Sequence, residues 1–270
     1  RPRAFARSGD MMTSSGSTPS CARRSSRKRR RRSLFSHPLR VSSRVAPAAV
    51  STPDASAQQS VNVYLGGFTP RAVDARPDED VLVQDGSFLS TVNRTRGVDI
   101  GQFNRVTVGG EWLFAMTHNV EGGLGLGFYQ RAVPTVYTDL VNKNGTDIEQ
   151  TLKLRIVPFT ATIRLLPFGN DRPIQPYIGA GVGVYRWRYS ETGQFVDSQN
   201  NIFTGNFVGS GAATGPTILG GVRVPIESAG VGFEIRHQSA EGKLPSDQGF
   251  AGSKIDLGGY NYLLTVNFRF

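Results

Sequence analysis

The chain has 270 residues, with 31 Lys or Arg against 21 Asp or Glu, a formal net charge of +10 concentrated at one end. Residues 1–57 hold 13 basic and 2 acidic side chains and residues 58–270 hold 18 and 19, so the larger segment is near neutral and a chain-long anion-binding surface is excluded. Cys21 is the single thiol and no run approaches the ~18 consecutive apolar residues of a membrane helix, which excludes a disulfide framework, a Cys-based zinc site in the body of the chain and a helical membrane protein.

The first segment is Ser-rich and acid-poor, and Arg23 to Arg32 read RRSSRKRRRR. It cannot bury enough apolar surface to fold alone and is predicted to be a disordered leader over 1–57. Such a run could neutralise phosphates, but nothing downstream resembles a nucleic-acid module, and no nucleic-acid partner is expected. Ala55-Ser56-Ala57 before Gln58 has the small-x-small pattern of a signal-peptidase site, which predicts export with Gln58 as the mature N-terminus. The apolar stretch such a signal needs is short here, VAPAAV at Val45 to Val50, and an Arg- and Ser-rich leader also matches an organelle transit peptide.

From Ser60 the sequence alternates between two faces. Val61, Val63 and Leu65 oppose Asn62, Tyr64 and Gly66; Val106, Val108, Trp112 and Phe114 oppose Thr107, Gly109 and Glu111. Leu124, Leu126 and Phe128 oppose Gly123, Gly125 and Gly127. Val157, Phe159, Ala161, Ile163 and Leu165 oppose Thr160, Thr162 and Arg164, whereas Leu152, Leu154 and Ile156 have the other parity, which predicts a β-bulge near Ile156. Ile178, Ala180, Val182 and Val184 oppose Gly179, Gly181 and Gly183; Ile218, Val222, Val224 and Ile226 oppose Thr217, Leu219 and Arg223; Val231, Phe233 and Ile235 oppose Gly232, Glu234 and Arg236. The last segment is the clearest: Tyr260, Tyr262, Leu264, Val266, Phe268 and Phe270 share one face, and Asn261, Leu263, Thr265, Asn267 and Arg269 the other. Eight period-two strands result. Their connections alternate between long (Thr69 to Asn104, Thr138 to Gln150, Glu191 to Ala213, Glu241 to Ser253) and short (near Met116 to Asn119, Pro167 to Gln175, Glu227 to Gly230). That alternation fits a membrane barrel with long outer loops and short periplasmic turns, and in lipid such strands must close on themselves. Asp85-Gly86 between Val81-Leu82-Val83 and Phe88-Leu89 also reads as a hairpin, which would raise the count to ten.

The C-terminal pattern of Tyr262, Leu264, Val266, Phe268 and Phe270 resembles the strand by which bacterial outer-membrane barrels are recognised for assembly. PFTATIRLLPFG followed by RPIQPYIGAGVG, within Val157 to Gly183, is similar to the strand, turn and Gly-alternating strand of small OmpA/OmpW-like barrels. The resemblance implies an all-β, closed, up-and-down antiparallel transmembrane barrel over 58–270 in the bacterial outer membrane. The implied role is in envelope integrity, adhesion or passage of small hydrophobic molecules. The implied partners are outer-membrane lipid and lipopolysaccharide, and the assembly machinery through the C-terminal strand. A monomer without cofactor or enzymatic activity is expected.

Glu111, Glu121, Arg164, Arg223, Glu234, Arg236 and Arg269 fall on the inward face near the periplasmic ends of their strands and are predicted to form a paired charge cluster at one depth in the lumen. A structural role fits an eight-stranded interior filled by side chains; a gated channel for small or hydrophobic solutes is the alternative. The glycines opposite them make room for large neighbours. His237 and Ser239 resemble the His-x-Ser pair of lipid A deacylases, but Ala240-Glu241 follow where that family has Asn-Ala, which disfavours a lipid A-modifying hydrolase. Asp74, Asp78, Glu79, Asp80 and Asp85 crowd the first loop without EF-hand spacing, and no metal site is predicted. Asn93-Arg94-Thr95 and Asn144-Gly145-Thr146 match the glycosylation sequon, idle in a bacterial envelope. Trp112, Trp187, Tyr185, Tyr189 and Tyr137 are predicted at the membrane rim.

Overall fold

The computed structural model describes residues 58–91 and 97–270. The Arg23 to Arg32 run, Cys21, the Ala55-Ser56-Ala57 motif and Asn93-Arg94-Thr95 lie outside the described residues. Eight antiparallel strands form one closed ring: β1 Gln59–Pro70, β2 Arg105–Thr117, β3 Val120–Val141, β4 Asp147–Leu165, β5 Gln175–Val196, β6 Ile202–Ile226, β7 Ala229–Gln238 and β8 Gly259–Arg269. Neighbours in sequence pair in order, and β1 closes the ring on β8 from Ser60↔Arg269 to Pro70↔Gly259. Closure removes the unpaired edges that lipid would penalise.

The alternation sorts the side chains as period two demands. Leu65, Val108, Leu126, Ile163, Val182, Ile218 and Leu264 point outward and are exposed, and with Trp112, Phe159 and Phe233 they form an apolar belt around the ring. An apolar exterior on a closed sheet is the architecture of small outer-membrane barrels. About nine to eleven residues of a tilted strand cross the hydrocarbon. β1, β7 and β8 are close to that, with 12, 10 and 11 residues, whereas β3, β5 and β6 run for 22, 22 and 25. The excess projects from the end opposite the short turns.

Four expectations are corrected. First, there is no bulge at Ile156: β4 pairs in one unbroken register with β5 from Gln150↔Gly193 to Leu165↔Ile178, and it holds the same frame on β3 either side of this point. Leu152, Leu154 and Ile156 are inward and buried because the outer half of the lumen is apolar. Second, Asp85-Gly86 is not a hairpin and the barrel is not ten-stranded. Val81–Asp85 is a single helical turn, α1, whose first amides are capped by Asp80, with Leu82 N–H donating to Oδ1 at 2.9 Å. The nearby strand Leu89–Thr91 adds only three residues against β3. Third, the stretches Thr138 to Gln150 and Glu191 to Ala213 are mostly strand, with connections only at residues 142–146 and 197–201. Above the membrane neither face meets lipid, so the hydrophobic alternation that marks a strand disappears while the backbone ladder continues. Fourth, Tyr185, Trp187 and Tyr189 are not rim residues: they share the inward face of Gly179, Gly181 and Gly183 and are buried. Tyr137 is half-buried against the interior core, and Trp112 faces outward.

The first and last outer connections turn inward. Val81, Leu82, Leu89, Val98, Ile100 and Phe103 from the first, with Leu244, Ile255 and Leu257 from the last, pack on wall residues that include Tyr129, Val133, Leu152, Leu154 and Trp187. Arg76 donates to Asp80 at 3.0 Å with both side chains fully buried, and Asp256 N–H donates to the same carboxylate. Asp80 and Lys254 form a bridge that ties the two connections together. The result is an apolar stopper in the outer half of the lumen.

Candidate functional site: the filled lumen

Below the stopper the interior is polar, and its charges sort into two tiers where one depth was expected. The inner tier joins three strands. Arg164 of β4 donates to Glu111 of β2 and, at 2.9 Å, to Glu234 of β7; Arg236 of β7 donates to Glu234 through Nε at 2.9 Å and Nη2 at 2.6 Å, and lies 3.4 Å from Glu111. Two guanidinium groups thus face two carboxylates, and all four side chains are nearly inaccessible to water. Tyr177 O–H donates to Glu234 at 3.1 Å, and the rings of Tyr177 and Tyr64 lie against Arg164 and Arg236, 4.9 and 5.6 Å from the guanidinium carbons. The two ring faces and the Tyr177 hydroxyl supply part of the solvation that a buried ion pair otherwise lacks, while Arg164 Nε meets no acceptor among the described residues.

The second tier lies farther from the stopper, at the end with the short turns. Arg223 of β6 grips Glu121 of β3 with two nitrogens, at 2.7 and 3.3 Å, and Gln175 Oε1 accepts from Arg223 Nε at 3.0 Å and from Arg269 at 3.1 Å. All seven charged residues singled out in the sequence therefore lie inside the ring, six as ion pairs and Arg269 through Gln175. Tyr64, Tyr177 and Gln175 were missed, although Tyr64 shares the inward parity of Asn62 and the same rule would have found it. The glycines matter to this packing: a Cβ at Gly183 would lie 2.6 Å from the Tyr185 ring, and one at Gly127 would lie 2.6 Å from Tyr64 Oη.

The remaining candidates are placed differently. The His237 ring lies tilted against Tyr260, centroids 4.8 Å apart, and Ser239 Oγ accepts from Arg71 at 2.9 Å; among the described residues no hydrogen bond joins His237 to Ser239, so the geometry of a base beside a nucleophile is missing. The acidic loop residues are dispersed: Asp80 serves Arg76, Glu79 lies 3.7 Å from Lys254, and Asp74 and Asp78 are exposed. Among the described residues no group of three or more His, Cys, Asp or Glu side chains could hold a metal.

Asp85, at the end of α1, accepts from Tyr189 O–H at 3.0 Å against the wall, close to the buried Glu191 carboxylate. Burial, with the Glu191 charge beside it, pushes the Asp85 carboxyl well above the usual carboxylate range. Undocked, Asp85 ionises near pH ~3.9, whereas the docked stopper favours the protonated acid. Docking is therefore tightest below that pH and weakens as pH rises toward the elevated value. In a Trp112→Phe background, acrylamide quenching of Trp187, which lines the stopper, is expected to increase with pH, and Asp85→Asn is expected to flatten that dependence. Equal pH dependence in both proteins would refute the assignment.

No family model matches the sequence, and no curated protein matches it. Among solved structures, similar ones are the outer membrane protein OprG from Pseudomonas aeruginosa (12% identity, 79% of this chain and 96% of that one, TM-score 0.45), Neisserial surface protein A (11%, 79% and 97%, 0.41) and outer membrane protein W of E. coli (15%, 79% and 98%, 0.35).

Proposed function

We propose that this protein is an integral barrel of the bacterial outer membrane whose role is structural or surface-binding, and that it is not a pore. The observation that carries the reading is the lumen, filled in series by an apolar stopper and two tiers of paired charge. A solute would have to displace packed side chains at every level, and an ion would meet an apolar layer on the way. The long strands β3, β5 and β6 support the surface role. Their ends carry Phe195 stacked on Phe203 and edge-on to Phe207, with Phe203 exposed, an aromatic edge held clear of the membrane. The outward row Tyr262, Leu264, Val266, Phe268 and Phe270 supports recognition by the assembly machinery, and the closed sheet supports a monomer in the lipid.

The test is planar-bilayer recording of the refolded full chain, after a heat-dependent gel shift establishes that the barrel is intact. A silent bilayer is expected. Discrete conductance steps would replace this reading with a narrow channel, in which the lumen charges line the path.

A further inference from the structure

The outward face of β4 and β5 changes character at one level. Up to Val157 and Phe159 on β4, and Val182 and Val184 on β5, it belongs to the apolar belt; the next outward positions are Arg155 and Lys153, and Arg186 and Arg188, all exposed. The register brings them together, since Arg155 lies directly opposite Arg188 and Val157 opposite Arg186. Like charges directly opposite across a ladder are destabilising, and none of the four makes an ion pair or side-chain hydrogen bond among the described residues. Their cross-strand neighbours on the same face are Gln130 and Ala132 on β3 and Ser210 and Ala212 on β6, which bring no negative charge. At the outer edge of the belt on the far side of the ring stand His237, Tyr260 and Tyr262 instead, so the basic cluster is confined to one wall.

This wall also carries a hollow of about 800 Å³. Arg155, Arg186 and Arg188 border it above, Val157, Phe159 and Val184 below, and the small residues Ser210, Gly211 and Ala212 leave it open on the β6 side. Its lower half suits an acyl chain and its upper half a phosphate, which arginine pairs bind with two parallel hydrogen bonds. The cluster lies at the end of the barrel opposite the short turns, which is the outer leaflet.

We infer that the hollow bounded by Arg155, Arg186 and Arg188 is a binding site for a phosphorylated, acylated lipid of the outer leaflet, the lipid A part of lipopolysaccharide. The phosphate supplies the countercharge that the fold omits, and an acyl chain runs down over Val157, Phe159 and Val184. The inference rests on the outer-membrane reading above and gives its lipid partner a definite place on the barrel.

The experiment uses the full chain refolded in detergent, with the heat-dependent gel shift recorded for every sample. Binding is titrated with bisphosphorylated lipid A, with chemically dephosphorylated lipid A, and with phosphatidylglycerol micelles. The wild type is expected to bind the phosphorylated form roughly tenfold or more tightly than the other two, and the Arg155→Gln, Arg186→Gln, Arg188→Gln triple variant to lose that preference while keeping its gel shift. A triple variant that binds like the wild type, or equal binding of dephosphorylated lipid A, would overturn the site. Equal binding of phosphatidylglycerol would reduce it to a general anionic surface and overturn the assignment to lipid A. Should the triple variant fail to fold, Arg188→Gln alone is read against the wild type with the same limits. A wild type without a gel shift would instead count against the barrel reading itself.

Discussion

Glu234→Ala is expected to destabilise the refolded barrel by about 3–5 kcal/mol, seen as an earlier urea midpoint and a gel shift lost at lower temperature. Glu234 is fully buried and accepts from Arg164, Arg236 and Tyr177. Without it, two guanidinium groups share the single Glu111 carboxylate, leaving a net positive charge in a layer that water does not reach. The loss of one partner costs far more than the pair contributes, because the stranded charge keeps its desolvation penalty. Glu234→Gln retains an acceptor and is expected to fall between the two. Arg269→Ala is expected to stay within about 1 kcal/mol, since Arg269 is partly exposed and leans on Gln175, which Arg223 still holds. A Glu234→Ala midpoint equal to that of the wild type would show that the inner tier is solvated and that the lumen is wet.

The second large effect concerns conduction. The stopper and the ion pairs block the lumen at different heights, so opening it is expected to require removing both. Glu111→Ala with Arg236→Ala deletes one charge of each sign and leaves Arg164 on Glu234, and this variant is expected to remain silent in a planar bilayer. Val81→Asp with Leu82→Asp places two carboxylates in the core of the stopper, where neither residue now meets water, and is expected to release the first connection from the lumen. On its own this change is also expected to be silent, because the ion pairs persist below. The four substitutions combined with Glu121→Ala and Arg223→Ala, which clear the remaining tier of paired charge, are expected to give discrete steps. Steps from either pair alone would mean that one barrier suffices and that the other is incidental.

Much of this architecture was legible in the sequence because lipid enforces period two strictly. Wherever a strand crosses the hydrocarbon, its outward residues are apolar and its inward ones are mostly polar or small, as in Tyr262, Leu264, Val266 and Phe268 against Asn261, Thr265 and Asn267. The inward charges were legible for the same reason. The apolar half of the lumen was not, because Leu152, Leu154 and Ile156 look like lipid-facing residues out of phase until the core they join is known. The aromatics of β5 were misread by composition when parity had already placed them: Tyr185 follows the outward Val184 and must point in. The first connection was opaque because Val81, Leu82 and Leu89 carry no period, and what buries them comes from residues scattered over the wall and from the last connection. The basic wall was visible as four arginine or lysine residues, but only the register sets Arg155 against Arg188.

The seam between β1 and β8 governs how this ring can be made. Asn267 donates to Ser60 at 2.9 Å across 207 positions of chain, whereas β2–β3 and β6–β7 are joined by turns at residues 118–119 and 227–228, and β3–β4 and β5–β6 by short connections at residues 142–146 and 197–201. Hairpins form in microseconds from neighbouring residues, while the seam must wait until the two ends of a long, flexible contour meet. Until then two strands present open ladders to whatever surrounds them, and the half-made sheet is poised to pair with another molecule. Closing this seam is thus the expected slow step of refolding, and a delay in delivering β8 is expected to divert the chain from a closed ring to an aggregate.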